Sequence, residues 1–290
     1  ELANPDETVV GEIDKTDVMP GGSLTWAFNK EMQMRAAASS TVNRPDFKEL
    51  SSAPYIDPVT RDIIIGNPNL EQAEVTNLDL KWEWYVTHFE GMSVSLFYKD
   101  FINPIERTLL PGGGDSNVYS FINADAATNA GIELEGRAWL SRFFGRSFSG
   151  TYIESNLAVI DSNVNLGDQS GQLTSTSRPL QGQAPWIINL TLGYENLLSQ
   201  SSANLLFNMA GEFIFDVGTQ GVPDAYVQPV PTLDFVYKKA FFRGREDNLH
   251  LAIKVKNILN PDVEVLRGGE LERSYSKGTT ISAQLKYSWK

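Results

Sequence analysis

The chain has 290 residues, 14 Pro, 23 Gly, 41% apolar residues and no cysteine, a balance that excludes collagen-like and disordered classes and rules out a disulfide framework or thiolate metal site. A formal net charge of -12 excludes non-specific nucleic-acid binding, because phosphate backbones repel acidic surfaces. No run approaches the roughly 18 consecutive apolar residues of a transmembrane helix, and the opening Glu1-Leu2-Ala3-Asn4-Pro5-Asp6-Glu7 lacks the basic start and apolar core of a signal peptide.

Strict alternation of apolar and polar residues marks a strand whose faces meet different surroundings. Weaker alternation at 23–28 and 32–40 leads to the clearest case, Val75 to Thr87, where Leu78, Leu80, Trp82, Trp84 and Val86 oppose Asn77, Asp79, Lys81, Glu83 and Tyr85. A weaker strand is expected over 92–106. At 128–140, Ala130, Ile132, Leu134 and Ala138 alternate with Asn129, Glu133, Glu135 and Arg137, and 147–158 follows less cleanly. Trp186, Ile188, Leu190, Leu192 and Tyr194 oppose Asn189, Thr191 and Glu195. Leu205, Phe207, Met209, Phe213 and Phe215 read as one further strand, with Leu206 and Ile214 blurring its polar side. After 230–238, Leu249, Leu251, Ile253 and Val255 oppose His250, Lys254 and Lys256, and the last segment sets Ile281, Leu285, Tyr287 and Trp289 against Ser282, Gln284 and Lys286. The pattern predicts about eleven strands and no long helix.

Connections alternate in length as well. Tight turns are expected near Asn29 to Glu31, His88 to Gly91 and Ser141 to Gly145, somewhat longer ones at Leu197 to Ser202 and Arg243 to Asn248, and long polar or Gly/Pro-rich loops at 41–74, 111–118, 161–185, 216–228 and 259–277. Short turns at one end and long loops at the other are the layout of an outer-membrane barrel, with turns in the periplasm and loops outside the cell. A soluble β-sandwich also alternates. Aromatic residues near the ends of the apolar faces, Trp26, Trp82, Trp84, Trp186, Tyr194, Tyr287 and Trp289, favour the barrel, because they suit interfacial girdles.

Several stretches in order resemble the C-terminal barrel region of TonB-dependent receptors over nearly the whole chain. They are Asn43-Arg44-Pro45-Asp46-Phe47-Lys48-Glu49-Leu50, Gly66-Asn67-Pro68-Asn69-Leu70 leading to Thr76 through Leu80, Phe97-Tyr98-Lys99-Asp100-Phe101, Asn129 to Glu135, Ala184-Pro185-Trp186 before Asn189, and Val255 to Asn260. The resemblance implies an all-β antiparallel transmembrane barrel of about 22 strands with a plugged lumen, of which this chain would be the final half. Residues 1–20 would then be an extracellular loop, and the plug domain and N-terminal strands would lie outside the chain. Such a half sheet leaves two unpaired edges that hydrocarbon cannot satisfy, so alone it is not expected to span a membrane. The family ends on an aromatic residue, whereas here Trp289 is followed by Lys290.

The function implied by resemblance is TonB-dependent uptake of a scarce extracellular ligand such as a siderophore, vitamin, carbohydrate or peptide, with a passive porin or structural barrel as the alternative. Implied partners are outer-membrane lipid and lipopolysaccharide, the protein's own plug and N-terminal strands, the TonB complex and a small extracellular ligand. No cofactor and no metal are expected. Candidate ligand-binding residues are Arg44, Tyr55, Asp57 and Arg61 in the first long loop, and Asp79, Lys81, Glu83, Glu133, Glu135 and Arg137 on the lumen side. Glu133 and Glu135 share a face about 6.6 Å apart by strand rise, a spacing that suggests a glycosidase acid pair. Beside Arg137 they read better as a hydrated lumen row. His88 and His250 lack partners at metal or triad spacing, and no catalytic residue is assigned. Glu1, Asp6, Glu7, Glu12, Asp14 and Asp17 do not have calcium-loop spacing and read as a solvated loop.

Overall fold

Period-two patterning becomes antiparallel pairing along most of the chain. The computed structural model describes residues 11–58, 61–110, 117–167, 173–175, 177–241 and 248–288. In chain order the strands are β1 (Gly21–Ala27), β2 (Met32–Asn43), β3 (Tyr55–Ile56), β4 (Ile63–Ile64), β5 (Ala73–Tyr85), β6 (Gly91–Ile102), β7 (Ile105–Leu110), β8 (Val118–Asn123), β9 (Ala126–Trp139) and β10 (Thr151–Asn165). They continue as β11 (Trp186–Asn196), β12 (Ser201–Ala210), β13 (Phe213–Asp216), β14 (Ala225–Val227), β15 (Thr232–Phe241), β16 (Asn248–Lys256), β17 (Asp262–Arg267), β18 (Glu270–Ser276) and β19 (Thr280–Ser288). The short helical segments are α1 (Phe47–Leu50), α2 (Ser141–Phe144) and a 3-10 turn at Arg146–Phe148.

Eleven strands form one sheet in the order β1-β2-β5-β6-β9-β10-β11-β12-β15-β16-β19, a meander once the strands within loops are set aside. β1 and β19 each have a single neighbour in this sheet, so it is a partial barrel with two edges. Register carries the alternation coherently across it. Trp82, Val94, Leu134, Leu157, Ile188 and Met209 are successive Cα partners in one apolar row. One residue along, Gln33, Glu83, Ser93, Glu135, Asn156, Asn189 and Asn208 form a polar row on the opposite face. The apolar residues of the alternating segments, Leu78, Leu80, Trp82, Trp84, Ile188, Leu190, Leu251, Ile253 and Leu285, share the first face. Asp79, Lys81, Glu83, Glu133, Glu135 and Lys254 share the second. The first face is left bare: Leu78, Leu96, Leu192 and Leu285 are all exposed. An apolar wall of that extent is stable against hydrocarbon, not water.

The long connections correct the expectation of plain polar loops. They carry eight short strands in two four-stranded sheets, β3-β4-β8-β7 and β13-β14-β17-β18. The two sheets touch through a parallel bridge between Thr108 and Val217, where the Leu109 N–H donates to the Val217 carbonyl at 3.1 Å. Ala124, Ala127, Val164, Leu166, Leu173, Ile214 and Val217 bury a core there, and Ala225, Val227, Val263 and Val265 a second. The loops expected at 216–228 and 259–277 therefore contain β14 and the β17–β18 hairpin. The strand expected over 204–215 breaks at Gly211, whose N–H donates to the Trp186 carbonyl at 2.9 Å and where a Cβ would meet the Trp186 indole nitrogen at 2.9 Å. The strand expected over 92–106 ends at Ile102, because Asn103 turns to φ 54 and Pro104 has no N–H for the ladder. The turn expected at 141–145 is helical. Trp289, Lys290, residues 1–10, and most of the connections expected at 111–118 and 243–248 lie outside the described residues.

Candidate functional site

β2, β5, β6, β9, β10, β11 and β12 bring their polar residues to one face, because each pairing keeps the alternation in phase. Glu135 on β9 is its centre: it accepts from Lys81 Nζ at 2.7 Å, Ser93 Oγ at 2.9 Å and Asn156 Nδ2 at 3.4 Å. Asn156 Oδ1 accepts from Asn189 Nδ2 at 3.2 Å, and Asn189 Oδ1 from Asn208 Nδ2 at 2.7 Å, so amides continue in one direction over β10, β11 and β12. Glu83 accepts from Gln33 Nε2 at 2.6 Å and from the Tyr85 hydroxyl at 3.0 Å, with Arg35 at 3.8 Å. Arg137 stacks 4.4 Å from the Tyr152 ring centroid. Tyr152 lies across Gly193 to reach Asn204 Oδ1 at 2.8 Å, and a Cβ on Gly193 would stand 2.1 Å from its ring. A cavity of about 440 Å³ is lined by Lys81, Glu83, Glu135, Arg137, Asn156 and Asn189. A second, of about 650 Å³, is lined by Arg35, Asp79, Lys81, Lys99, Asn129 and Glu133.

The lumen-side candidates Asp79, Lys81, Glu83, Glu133, Glu135 and Arg137 thus come together on two adjoining cavities. Such a lining offers both charges and many amide groups to a polar surface or solute. Glu135, engaged as an acceptor by three donors, sits in a hydrogen-bonded polar row rather than standing free. Among the described residues no cluster of three or more His, Asp or Glu side chains is placed to hold a metal.

The loop candidates are dispersed. Arg44 donates to Asp17 Oδ2 at 2.6 Å and to the Lys15 carbonyl at 3.3 Å, tying residues 15–17 to the first long loop. Arg44 holds the Asp17 carboxyl below its ordinary range, helped by Gln72 at 2.7 Å. Tyr55 lies under Lys48, 5.4 Å from Nζ to the ring centroid. Asp57 and Arg61 frame the β3–β4 hairpin: the Arg61 N–H donates to the Asp57 carbonyl at 2.9 Å, and Arg61 has φ 66.

Two charge clusters escape sequence reading. In the loop assembly Glu106 and Arg178, both essentially inaccessible, make a two-pronged pair at 2.8 and 2.6 Å, and Glu106 also accepts from the Gln181 N–H at 3.1 Å. Beside them Arg107 donates to Asp216 through Nε at 2.7 Å and stacks on Tyr119 and Phe215 at 4.9 and 4.8 Å. Burial pushes the Asp216 carboxyl up while Arg107 opposes the shift. At the short-turn end, Glu90 accepts from Arg142 at 2.7 and 3.0 Å and from the Trp139 N–H at 3.1 Å. The Arg142 hydrogen bonds lead in pulling the Glu90 carboxyl down to about 2. Partners 72 residues apart for Glu106 and 52 for Glu90 carry no local sequence signal.

Comparison with known proteins agrees with this geometry. A family profile described as TonB dependent receptor-like, beta-barrel matches residues 3–258. No curated protein matches the chain by sequence. Among solved structures, a variant of the ferric enterobactin receptor of Pseudomonas aeruginosa is similar with TM-score 0.59 and 16% identity, over 93% of this chain and 40% of that one. The siderophore receptor PirA of Pseudomonas aeruginosa is similar with TM-score 0.56 and 14% identity, over 93% and 42%. The FrpB iron transporter of Neisseria meningitidis gives 0.56 and 12%, over 94% and 39%. The chain spans about 40% of the first of these structures.

Proposed function

The chain belongs to the TonB-dependent receptor β-barrel family, and on that premise we propose that it is the C-terminal part of an outer-membrane transporter that takes up a scarce extracellular ligand actively. The observation that carries this reading is the sheet itself. Its apolar face is bare and its polar face is lined by charged and amide groups, while its two edges, β1 and β19, await further strands. In this reading the remaining strands and a plug domain complete the barrel, the short turns face the periplasm and the long, folded loops face outward. The plug would rest against the Glu135-centred lining, and TonB would act on it from the periplasm. Lipopolysaccharide and phospholipid would surround the apolar face.

For the ligand we propose a siderophore first, the class named for structural relatives, with vitamin, carbohydrate and peptide as the other classes to be tested. The lumen candidates Asp79, Lys81, Glu83, Glu133, Glu135 and Arg137, with Arg44, Tyr55, Asp57 and Arg61 in the loop, would act along its route. The experiment is uptake of a radiolabelled panel of these compounds by cells carrying the full-length receptor, with and without an uncoupler. Accumulation abolished by the uncoupler and by loss of TonB supports active import. Accumulation indifferent to both means a passive porin.

A further inference from the structure

The polar face of the main sheet changes character across its width. On β2, β5, β6 and β9 the register places Arg35, Lys81, Lys99 and Arg137 at polar-face positions together with Asp79, Glu83, Glu133 and Glu135. Opposite charges meet there, Lys81 with Glu135 at 2.7 Å and Arg35 with Glu83 at 3.8 Å. The last three strands differ. In the same phase β15, β16 and β19 present Lys238, His250, Lys254, Lys256 and Lys286, all of them exposed. Among the described residues none of these four lysines makes an ion pair. Asp234 is the one acid at a polar-face position of these strands; it lies at the loop end of β15 and accepts from the Asn257 N–H at 2.8 Å. His250 and Lys286 are direct Cα partners, and Lys238, opposite Ala252, lies on the diagonals to both His250 and Lys254.

We propose that this lysine strip is the wall along which an anionic ligand crosses the lumen, so that the passage opens against β15, β16 and β19 and not against the charge-matched strands. The inference rests on the reading of the chain as part of an importer's barrel, and deepens it by naming the ligand's charge and the side of the lumen it travels. Three features select a passing anion. The strip runs the height of the wall, from Lys256 at the loop end to His250 and Lys286 at the short-turn end, six residues along β16 or about 20 Å of strand rise. Groups spread over that length do not converge on one ligand; they offer successive weak holds, as a conducting path requires. Like charges on diagonal neighbours, about 7–8 Å apart by backbone, repel each other, and an anion between them relieves that repulsion. Every strong cation of the strip is lysine, a mobile point charge without the rigid fork by which arginine clamps an anion, so it attracts without retaining.

The chain has no cysteine, so single cysteines can report the local potential through their rates with charged thiol reagents. The test places Ala252→Cys and Gln284→Cys within the strip, Ser95→Cys between Lys81 and Glu133 on the charge-matched wall, and Leu251→Cys on the apolar face, in the full-length receptor with any other cysteines removed. Energised cells are treated with membrane-impermeant methanethiosulfonates of similar size, one bearing a sulfonate and one a trimethylammonium group. The strip predicts a sulfonate-to-ammonium rate ratio about tenfold higher at 252 and 284 than at 95. Adding Lys238→Gln and Lys254→Gln should bring the ratio at 252 and 284 down to that at 95. Ratios at 252 and 284 equal to the one at 95 overturn the strip and leave the barrel intact. No reaction of either reagent at 252 and 284 means that protein covers the strip throughout, and also overturns it. High ratios indifferent to an uncoupler uphold the strip and overturn active import. Reaction at 251 as fast as at 252 overturns the barrel reading together with the strip.

Discussion

Leu190 and Thr191 are adjacent on β11 and point to opposite faces, which makes them a controlled pair. Leu190 pairs with Ser155 and Phe207 in the apolar register, and Thr191 pairs with Glu154 and Leu206 in the polar one. Leu190 lies near the middle of Trp186–Asn196, close to the bilayer midplane if the strand crosses symmetrically. A guanidinium there faces hydrocarbon and should cost about 2–4 kcal/mol. At Thr191 the same group meets Glu154, whose carboxylate offsets desolvation, so Thr191→Arg should cost less than about 1 kcal/mol. Both variants would be measured in the full-length receptor by reversible denaturant titration in phospholipid vesicles, with protease protection confirming insertion. Equal costs, or a larger cost for Thr191→Arg, would refute the assignment of faces and the membrane environment inferred from it.

Removing one partner of the buried Glu106–Arg178 pair leaves the other charge uncompensated, so Glu106→Gln should destabilise the loop assembly by about 3–5 kcal/mol, read as lost amide-exchange protection in β7 and β8. The double change Glu106→Met with Arg178→Met should recover most of that loss. The folded-state carboxyl of Glu90 titrates below its usual value of 4.5, near 2, so its stabilisation is fully present above about 4.5 and is lost as pH falls through about 2. Glu90→Gln should remove about 1–2 kcal/mol at pH 7, a figure discounted for the solvent screening of half-exposed Arg142, and should flatten stability between pH 4.5 and 2 in acid titration. Gly193→Ala should displace the Tyr152 ring and break its hydrogen bond to Asn204, costing about 1–3 kcal/mol with a change in tyrosine fluorescence.

The main sheet was legible because its two faces meet different solvents, so each strand carries its orientation in its own sequence. Val75 to Thr87 and 128–140 needed no partner to be read, and in-phase pairing then followed. The loop sheets were not legible for the opposite reason. β3 and β4 have two residues each, and Ile63 and Ile64 gain meaning only by pairing in parallel with Val118 and Tyr119, far along the chain. Glu106 falls in a segment that alternation assigns to a strand, and its burial depends on Arg178 arriving from another loop. The lumen candidates were recognisable as polar positions. That Glu135, Asn156, Asn189 and Asn208 form one hydrogen-bonded track is a property of register, which sequence spacing alone does not fix.

The most direct test of the partial membrane barrel is a spin-label accessibility scan along β5 in the full-length receptor reconstituted in phospholipid. Single cysteines would be placed in turn at Asn77 through Trp84, and collision with oxygen compared with collision with a water-soluble nickel complex. The account predicts period two, with oxygen dominating at Leu78, Leu80, Trp82 and Trp84 and nickel, or shielding by plug, at Asn77, Asp79, Lys81 and Glu83. Uniform shielding on both faces, or oxygen dominating at Asp79, Lys81 and Glu83, would contradict it.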